Sequence, residues 1–395
     1  MIKKVLKALI VLAGFTAGFS LIYLLKTYFQ PINPTTTVSK SAIENKNKIF
    51  KKEIIGFLPY WLINKAKDDY SKYITDLTYF GLTLDTDGTI LKLTNPRENE
   101  PGWYTLKSGK LNNVFDFYKK KKIALSLLIF AGSNKLIETL IEDPVQNSKN
   151  MVNDLVPILQ EYGFSGLNLD IEYTKEASNE ARARFTEFAT GVKNGLKENG
   201  VNSLTIDVTG YDIVKNNLIN IKEVSEIADR ILIMAYDFHF PGSFVTGPIG
   251  PLWGAGSIAE YDTETAVREA LRIMPSEKII LGLPLYGYEW ETIGREPRFA
   301  VIPNTGVLAS GRRVEEIINS CQGCTRQSDT DAQESYLIYK NDKTGTYHQI
   351  FYPDRQSTLA KTNFAKIRNL GGVALWALGY EDSTILDPLK DYSIK

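Results

Sequence analysis

The sequence predicts an α/β fold: a (β/α)8 barrel with a small α+β insertion after the seventh strand, preceded by an N-terminal transmembrane helix. From Glu53 onward, short apolar or β-branched segments alternate with segments of helical periodicity. Several of these strands are continuously apolar, which is typical of parallel strands buried on both faces. The alternative is a doubly wound sheet, but no Gly-x-Gly-x-x-Gly motif follows the first predicted strand.

The first element, residues 1–30, is predicted to be a signal anchor. Lys3, Lys4 and Lys7 precede an uncharged stretch from Ala8 to Leu25, which as a helix would be about 27 Å long, close to the thickness of a bilayer core. The lysines favour a cytoplasmic N-terminus, so the rest of the chain would lie outside the cell membrane. Secretion after signal cleavage and a buried core helix are the alternatives.

A polar segment, residues 31–52, is predicted to be a flexible linker because it is rich in Thr, Ser, Asn and Lys. Residues 53–395 then form the barrel domain. Its predicted strands are Ile54–Leu58, Leu77–Leu84, Ile123–Phe130, Ser165–Ile171, Leu204–Thr209, Arg230–Tyr236, Lys278–Pro284 and Gly372–Leu378. Its predicted helices include Leu111–Lys121, Asn150–Tyr162, Ala177–Asn199, Glu264–Ile273 and Thr358–Asn369.

The interval after the seventh strand is too long for a simple connection, and it predicts the α+β insertion at about residues 291–352. A helix is expected at Val314–Asn319, and a hairpin of Tyr336–Tyr339 and Thr346–Phe351 is expected around Asn341 to Gly345. The Cys321-Gln-Gly-Cys324 motif lies in this insertion rather than at a βαβ turn. A local disulfide or two free thiols is therefore favoured over a thioredoxin-like redox site.

Composition excludes several classes of function. The chain has 46 acidic and 46 basic side chains, so no electrostatic footprint indicates a nucleic-acid partner. Its two histidines and two cysteines make a zinc site improbable, and no His-Glu-x-x-His segment exists. We expect no metal, no cofactor and a monomeric protein.

The predicted fourth strand carries the most informative pattern in the chain. From Leu167 to Glu172, aliphatic residues alternate with Asn168, Asp170 and Glu172. Alternate side chains of a strand point to opposite faces, so the amide and both carboxylates share one face. Neighbouring carboxylates raise each other's pKa, which makes a glutamate usable as a general acid. The alternative is a half-exposed surface strand with ordinary polar residues.

Catalytic residues of (β/α)8 barrels lie at the C-terminal ends of the strands. In this sequence those ends carry carboxylates and aromatic rings: Tyr60 and Trp61, Asp170 and Glu172, Met234 to Asp237, Leu285 to Trp290, and Trp376 to Asp382. Sugar rings pack their C–H faces on aromatic side chains, while acids transfer protons. The combination at the strand ends therefore indicates a carbohydrate site.

Three of these segments resemble glycoside hydrolase family 18. Gly166 to Glu172 resembles the family's Asp-Gly-x-Asp-x-Asp-x-Glu motif, Met234 to Asp237 resembles its Met-x-Tyr-Asp motif, and Trp376 matches its eighth-strand tryptophan. Many members also have an α+β insertion after the seventh strand. The resemblance covers about residues 53–390, and it implies an enzyme that cleaves β-linked N-acetylglucosamine polysaccharides.

The chain departs from the family motif at two positions, because Ser165 and Asn168 stand where the motif has its first two aspartates. An asparagine at position 168 resembles the spore-cortex-lytic and chitobiase-like branches of the family more than the best-known chitinases. The segments Tyr236–Ser243 and Gly282–Trp290 resemble the spore-cortex-lytic branch as well. Peptidoglycan is therefore favoured over chitin as the substrate.

The resemblance implies a retaining mechanism in which the substrate's acetamido group is the nucleophile. Glu172 would be the general acid and base, and Asp170 would orient the acetamido group. Tyr236 would hydrogen-bond that group, and Asp237 would contact the same sugar. The residues expected to bind substrate are Trp376, as the floor of the site, Tyr60, Trp61, Asn168, Met234 and Tyr286.

Asn168 is expected to hydrogen-bond Asp170 but not to carry charge. We therefore predict a lower apparent pKa for the Asp170–Glu172 pair than an aspartate at position 168 would produce. Asp207 and Tyr211 are further candidates for lining the cleft. His239 is interpreted as a loop histidine bonded to a backbone group, and Asp354 as a helix cap.

Two other functions remain open from the residues alone. One is a catalytically weak or inactive glycan-binding protein on the same barrel, but such proteins typically lose the acid, and Glu172 is present. The other is a hydrolase of a sugar without an acetamido group. Asp170, Tyr236 and Asp237 argue against it because they are the residues that would handle the acetamido group.

Overall fold

The computed structural model describes residues 52–215, 217–321 and 323–392. The predicted signal anchor at residues 1–30 lies outside these residues, as does all but the last residue of the predicted linker. Within the described part of the chain, no helix is long and apolar enough to cross a membrane.

Fifteen strands are present in the described residues. They are β1 (Glu53–Pro59), β2 (Asp76–Thr83), β3 (Leu93–Asn95), β4 (Glu98–Asn99), β5 (Ala124–Ala131), β6 (Gly166–Ile171), β7 (Ser203–Thr209), β8 (Arg230–Met234), β9 (Ile279–Pro284), β10 (Tyr286–Thr292), β11 (Val307–Ser310), β12 (Thr325–Asp329), β13 (Glu334–Lys340), β14 (Tyr347–Tyr352) and β15 (Gly372–Trp376).

The α-helices of the same residues surround the barrel or belong to the insertion. They are α1 (Pro101–Lys107), α2 (Asn112–Lys120), α3 (Asn134–Leu140), α4 (Pro144–Tyr162), α5 (Asn179–Glu198), α6 (Gly210–Lys215), α7 (Ile221–Ile227), α8 (Thr263–Ile273), α9 (Gly311–Ser320) and α10 (Arg355–Ile367). Single helical turns lie at Tyr60–Leu62, Tyr70–Lys72, Ser276–Lys278 and Asp387–Asp391.

Eight parallel strands close into a barrel in the order β1-β15-β9-β8-β7-β6-β5-β2. This confirms the predicted (β/α)8 fold. β6 is buried along its whole length, so the interpretation of this stretch as a half-exposed surface strand is wrong. Leu167, Leu169 and Ile171 pack in the core between barrel and helices, while Asn168 and Asp170 point into the barrel.

Helix ends follow ordinary capping chemistry. The Asp143 side chain accepts a hydrogen bond from the backbone N–H of Gln146 at the start of α4, and Pro144 occupies the first turn. Gly163 ends α4 with φ +69°, a conformation that favours glycine. Asp354 caps α10 in a capping box with Ser357, which confirms the predicted role of Asp354.

Two barrel strands end two residues earlier than the sequence predicts, and both ends carry site residues. β8 ends at Met234 rather than Tyr236, because the chain turns there and Asp237 adopts φ +60°. β15 ends at Trp376 rather than Leu378, whose backbone N–H donates instead to the carbonyl of Phe57 on β1, 2.9 Å away. The chain therefore leaves the sheet where it reaches the cavity.

The insertion after β9 is a five-stranded antiparallel sheet in the order β11-β10-β14-β13-β12, with α9 packed against it. The predicted start near residue 291 is wrong, because β10 already pairs with β14 from Tyr288 opposite Phe351. The predicted hairpin of β13 and β14 is confirmed, and the predicted helix is longer, as α9. Cys321 and Cys324 form a disulfide, which confirms the first of the two expected alternatives.

Candidate active site

Five carboxyl groups lie at the C-terminal end of the barrel. They belong to Asp170 at the end of β6, Glu172 just beyond it, Asp207 on β7, Asp212 on α6 and Asp237 after β8. A cavity of about 200 Å³ opens beside them. Its lining residues are Phe57, Phe80, Leu128, Phe130, Asp170, Glu172, Asp207, Met234, Tyr236, Asp237 and Trp376.

Asp170 is one of the most deeply buried of these acids. Its side chain is only 4% exposed, and its Oδ1 atom has no hydrogen-bond partner among the described residues. Burial raises the pKa of Asp170 well above 3.8, and the carboxyl groups of Glu172, Asp207 and Asp212 raise it further. A buried oxygen without a partner is costly, so this atom is suited to a donor that a ligand brings.

Glu172 is half-buried, and its backbone N–H donates to the carbonyl of Ala131 on β5, 2.9 Å away. Burial raises the pKa of its carboxyl group, and Asp237 and Asp212 add to this effect. Glu172 therefore holds its proton at a higher pH than an ordinary glutamate, as a general acid requires.

Asp207 lies beside Asp170, because the two residues are register partners in the parallel pair of β6 and β7. The Nδ2 atom of Asn168 donates to Oδ1 of Asp207 over 3.1 Å. Burial raises the pKa of Asp207 to about 8, although the hydrogen bond from Asn168 lowers it. The expected hydrogen bond from Asn168 to Asp170 is wrong, since the amide faces the neighbouring strand and not the next position of its own.

Asp237 is held by two phenols from the insertion. The hydroxyl groups of Tyr286 and Tyr288 donate to its Oδ1 atom over 2.5 Å and 3.0 Å. The cavity leaves part of Asp237 open to solvent, but the protein atoms packed around it raise its pKa, and the two hydrogen bonds partly offset that effect. Tyr286 thus contacts the site through Asp237, and it does not line the cavity.

Aromatic rings also line the cavity. The Trp376 ring meets the rings of Phe80 and Phe57 edge to face, with centroids 5.0 Å and 5.7 Å apart. Trp61, 42% exposed, lies next in line, 6.3 Å from Trp376. Its indole N–H donates to the hydroxyl of Tyr380 over 3.2 Å. Acids and aromatic rings therefore line one and the same cavity.

Residues 46–381 match the family described as Glycosyl hydrolases family 18. The chain belongs to glycosyl hydrolase family 18. It is 25% identical over 333 residues to the cortical fragment-lytic enzyme of Bacillus subtilis, which covers 80% of this chain and 67% of that one. It is 28% identical over 315 residues to a class V chitinase of Arabidopsis thaliana, which covers 73% and 78%.

Solved structures have the same fold. The Group IV chitinase of Ostrinia furnacalis in complex with allosamidin superposes with a TM-score of 0.74 at 20% identity, over 87% of this chain and 97% of that one. The spore cortex-lytic enzyme of Bacillus megaterium superposes with a TM-score of 0.65 at 19% identity, over 88% and 75%. The family 18 resemblance inferred from the motifs, including its cortex-lytic branch, is thus confirmed, and the chain is a glycoside hydrolase.

Six of the ten predicted site residues line the cavity of this family 18 protein: Glu172, Asp170, Tyr236, Asp237, Trp376 and Met234. Three of the other four lie around it. Asn168 is below the cavity on Asp207, Tyr286 is behind Asp237, and Trp61 is beside Trp376. The fourth, Tyr60, packs its ring edge to face on Trp61, with centroids 4.9 Å apart, and is not part of the lining. The roles assigned to these residues stay predictions.

Several lining residues of the family 18 cavity were absent from the predicted set. Phe57, Phe80, Leu128 and Phe130 all follow the two-residue alternation of inward-facing positions on β1, β2 and β5, which could have identified them. Asp207, a further candidate from the sequence, does line the cavity. Tyr211 is outside the lining and 43% exposed.

His239 is not part of the site. Its Nδ1 atom lies 2.7 Å from the carbonyl oxygen of Pro248, which confirms the predicted backbone bond. Burial lowers the pKa of His239, so the ring stays neutral around pH 7 and holds the loop after β8 in place.

Proposed function

We propose that this family 18 protein is a membrane-anchored, extracytoplasmic hydrolase of β-linked N-acetylglucosamine glycans. The observation that carries the proposal is the pair of acids with raised pKa values, Asp170 and Glu172, in a cavity that Trp376 also lines. An acid that holds its proton and a flat aromatic surface are the two requirements for protonating a glycosidic oxygen on a bound sugar.

The mechanism we propose is retaining and substrate-assisted, with the acetamido group of the substrate as the nucleophile. Glu172 protonates the glycosidic oxygen, the bond between that oxygen and the anomeric carbon breaks, and the acetamido oxygen bonds to the anomeric carbon to form an oxazolinium ion. Glu172, now ionised, then takes a proton from the water that opens the oxazolinium ion. Both steps use the same carboxyl group, which first gives up a proton and then takes one back. Its pKa should therefore be higher than that of an ordinary glutamate, and burial raises it in this direction.

Asp170 is the proposed partner of the acetamido N–H. Its Oδ1 atom is buried without a partner, and a substrate N–H would supply the missing donor. The hydrogen bond orients the acetamido oxygen toward the anomeric carbon, and the carboxyl group stabilises the positive charge that develops on the ring formed there.

Three further residues complete the proposed sugar site. The Tyr236 hydroxyl donates to the acetamido oxygen, and Asp237 accepts a hydrogen bond from a hydroxyl group of the same sugar. Trp376 forms the floor. The pKa of Tyr236 is raised well above 10 by burial and by the surrounding carboxylates, so its hydroxyl keeps the proton that it must donate.

Peptidoglycan is the favoured substrate class, with chitin-type polymers second. The relatives named above include cortical fragment-lytic enzymes and a chitinase, and the asparagine at position 168 is the feature that favours the former. The enzyme is proposed to act as a monomer. Residues 1–30 would anchor it, and residues 31–52 would serve as the linker to the domain at 53–395.

The first test compares the purified full-length chain with its Glu172→Gln variant on N-acetylglucosamine oligomers and on purified peptidoglycan, with products identified by mass spectrometry. The variant should lose at least about 100-fold in kcat/KM, since proton transfer contributes that much. Glu176→Gln, an exposed glutamate on the same loop, is the control and should retain full activity. Binding without cleavage by the unmodified chain would show a glycan-binding protein instead.

A further inference from the structure

The motif of β6 lacks an acid that the structure supplies from another strand. Asn168 stands where the family motif has its second aspartate. On the neighbouring strand β7, Asp207 is the register partner of Asp170. Its carboxyl group accepts a hydrogen bond from the side-chain amide of Asn168 over 3.1 Å. Asp207 also lines the same cavity as Asp170 and Glu172.

We propose that Asp207 is a positioning residue for the hydrolysis, in that it replaces the missing motif acid and shares a proton with Asp170. This inference rests on the proposed function. In it, Asp207 controls the charge of Asp170, the acid that would bind the acetamido N–H. Asn168 orients Asp207 by donating to it, because an amide can donate a hydrogen bond where a second carboxylate would repel.

The titratable groups around Asp207 are mostly acids. The titratable groups that face it are Asp170 on β6, Glu172 just after β6, and Tyr236 from the segment after β8. Asp212 follows on α6, but it accepts hydrogen bonds from the backbone N–H and hydroxyl of Thr209, at 3.0 Å and 2.6 Å. No lysine or arginine within the described residues forms an ion pair with Asp207.

Buried carboxylates that lie close together and lack a cation cannot all be ionised. A proton is therefore retained between Asp170 and Asp207 near neutral pH, consistent with the pKa of about 8 for Asp207. When a substrate N–H reaches the free Oδ1 atom of Asp170, it favours the ionised form of Asp170. The proton then stays on Asp207, and the neutral Asp207 does not repel the negative charge of Asp170.

The test is an exchange of the amide and the acid between the two strands. Asp207→Asn should lower kcat at least about tenfold with a smaller change in KM. It should also move the basic limb of the pH profile of kcat/KM to lower pH, because one like charge is missing. Asn168→Asp alone would place two carboxyl groups within 3.1 Å of each other and should move that limb to higher pH.

The double variant Asn168→Asp with Asp207→Asn keeps one acid and one amide in contact, but the amide at position 207 now donates the hydrogen bond to the carboxyl group at position 168. It should recover most of the kcat lost in Asp207→Asn. Asp76→Asn is the matched control. Asp76 is a buried acid whose pKa burial raises, but it lies on Ser126 at the first residue of β2, away from the cavity. This variant should change thermal stability without moving the pH profile.

Two outcomes would overturn the proposal: an Asp207→Asn variant with unchanged kcat and pH profile, or a folded double variant that recovers nothing. A second measurement does not need activity. In the chain labelled with ¹³C at aspartate carboxyl groups, NMR should show an aspartate titrating well above the usual range of about 3–5, and this titration should be missing from Asp207→Asn but present in Asp76→Asn. The absence of any such titration would refute proton sharing even if no substrate were cleaved. Conversely, if Glu172→Gln retains activity, the proposed function fails independently of this result.

Discussion

Buried carboxyl groups in this protein have two opposite surroundings. Asp207 faces other acids, and its pKa rises to about 8. Glu289 on β10 is equally buried, at 2% exposed, but it accepts hydrogen bonds from His348, Tyr339 and Arg313 at 2.6–2.8 Å. Burial alone would raise the pKa of Glu289, yet these donors together lower it to about 2. One acid is therefore kept protonated for chemistry, and the other is kept ionised for structure.

This contrast predicts how stability depends on pH. The pKa of Glu289 is lower in the folded chain than in the unfolded chain, so its stabilisation is present above about pH 4.5 and is lost as the pH falls toward 2. Glu289→Gln should therefore lower the free energy of unfolding by about 2 kcal/mol at pH 7 and by progressively less toward pH 2. Urea titrations at several pH values measure this.

The matched control for that prediction is Glu291→Gln. Glu291 lies on the same strand and accepts a hydrogen bond from the hydroxyl of Thr346, but its side chain is 29% exposed. Its replacement should cost less at every pH. An equal loss in both variants, or a loss from Glu289→Gln that does not shrink in acid, would contradict the assignment.

At the scale of elements, one buried ion pair joins the insertion to the barrel. Lys361 on α10 lies 2.6 Å from Glu334 on β13, with side chains 2% and 0% exposed. The carboxyl group of Glu334 also accepts hydrogen bonds from the backbone N–H groups of Ile249 and Gly250, at 2.9 Å and 3.1 Å. A helix of the barrel, a strand of the insertion and the loop after β8 therefore meet at a single carboxylate.

Lys361→Met should be strongly destabilising, because it keeps the aliphatic stem but leaves the Glu334 charge buried without its cation. We expect a loss of about 3–5 kcal/mol in the free energy of unfolding, measured by urea titration. Adding Glu334→Gln to this variant should recover part of the loss, since the unpaired charge is removed. Lys390→Met, which breaks an exposed ion pair with Asp387, should leave stability nearly unchanged. A loss no larger than that of Lys390→Met would refute the role of the pair.

At the scale of the whole molecule, the described residues from Lys52 to Tyr392 belong to one compact unit that contains both the barrel and the insertion. The family 18 match, residues 46–381, covers almost the same range. The anchor that we propose, the uncharged stretch from Ala8 to Leu25, lies outside the described residues. The proposed location and the proposed chemistry depend on different parts of the chain and can be tested separately.

The anchoring proposal predicts that the intact chain sediments with membranes and stays there after alkaline carbonate extraction. Phe15→Lys places a charge near the middle of the uncharged stretch, at a cost of about 3 kcal/mol in bilayer insertion, and should increase the soluble fraction. Proteases added to intact cells should degrade residues 53–395. A soluble chain shortened at its N-terminus would show signal cleavage and refute the anchor.

The features predicted from sequence are those with local periodicity. The alternation along β6 is visible in the chain itself, so it predicted both the inward face and the acids on it. The partners of those acids depend on which strands become neighbours and with what register. Asn168 bonds Asp207, 39 residues later, and Asp237 bonds Tyr286, 49 residues later. A pattern of neighbouring residues in the sequence cannot predict hydrogen bonds between residues so far apart in the chain.

Short elements account for most of the missing fold detail. α3 and α7 have seven residues each, which is too few for helical periodicity to stand out. β10 follows β9 after a single residue, so the two strands read as one apolar and aromatic run, and the insertion was predicted to begin too late. Its start became clear only from the antiparallel pairing with β14.

The two phenol groups on Asp237 have a consequence for protein engineering. Because Tyr286 and Tyr288 belong to the first strand of the insertion, the insertion cannot be replaced by that of a relative without affecting the hydrogen bonds to Asp237. A chimera that grafts a relative's insertion at residue 291 would keep both tyrosines but lose the partner strands that hold them. A junction before residue 286 must import equivalent phenols. The natural crossover point for recombination therefore lies within β9, upstream of every contact to Asp237 that the insertion makes.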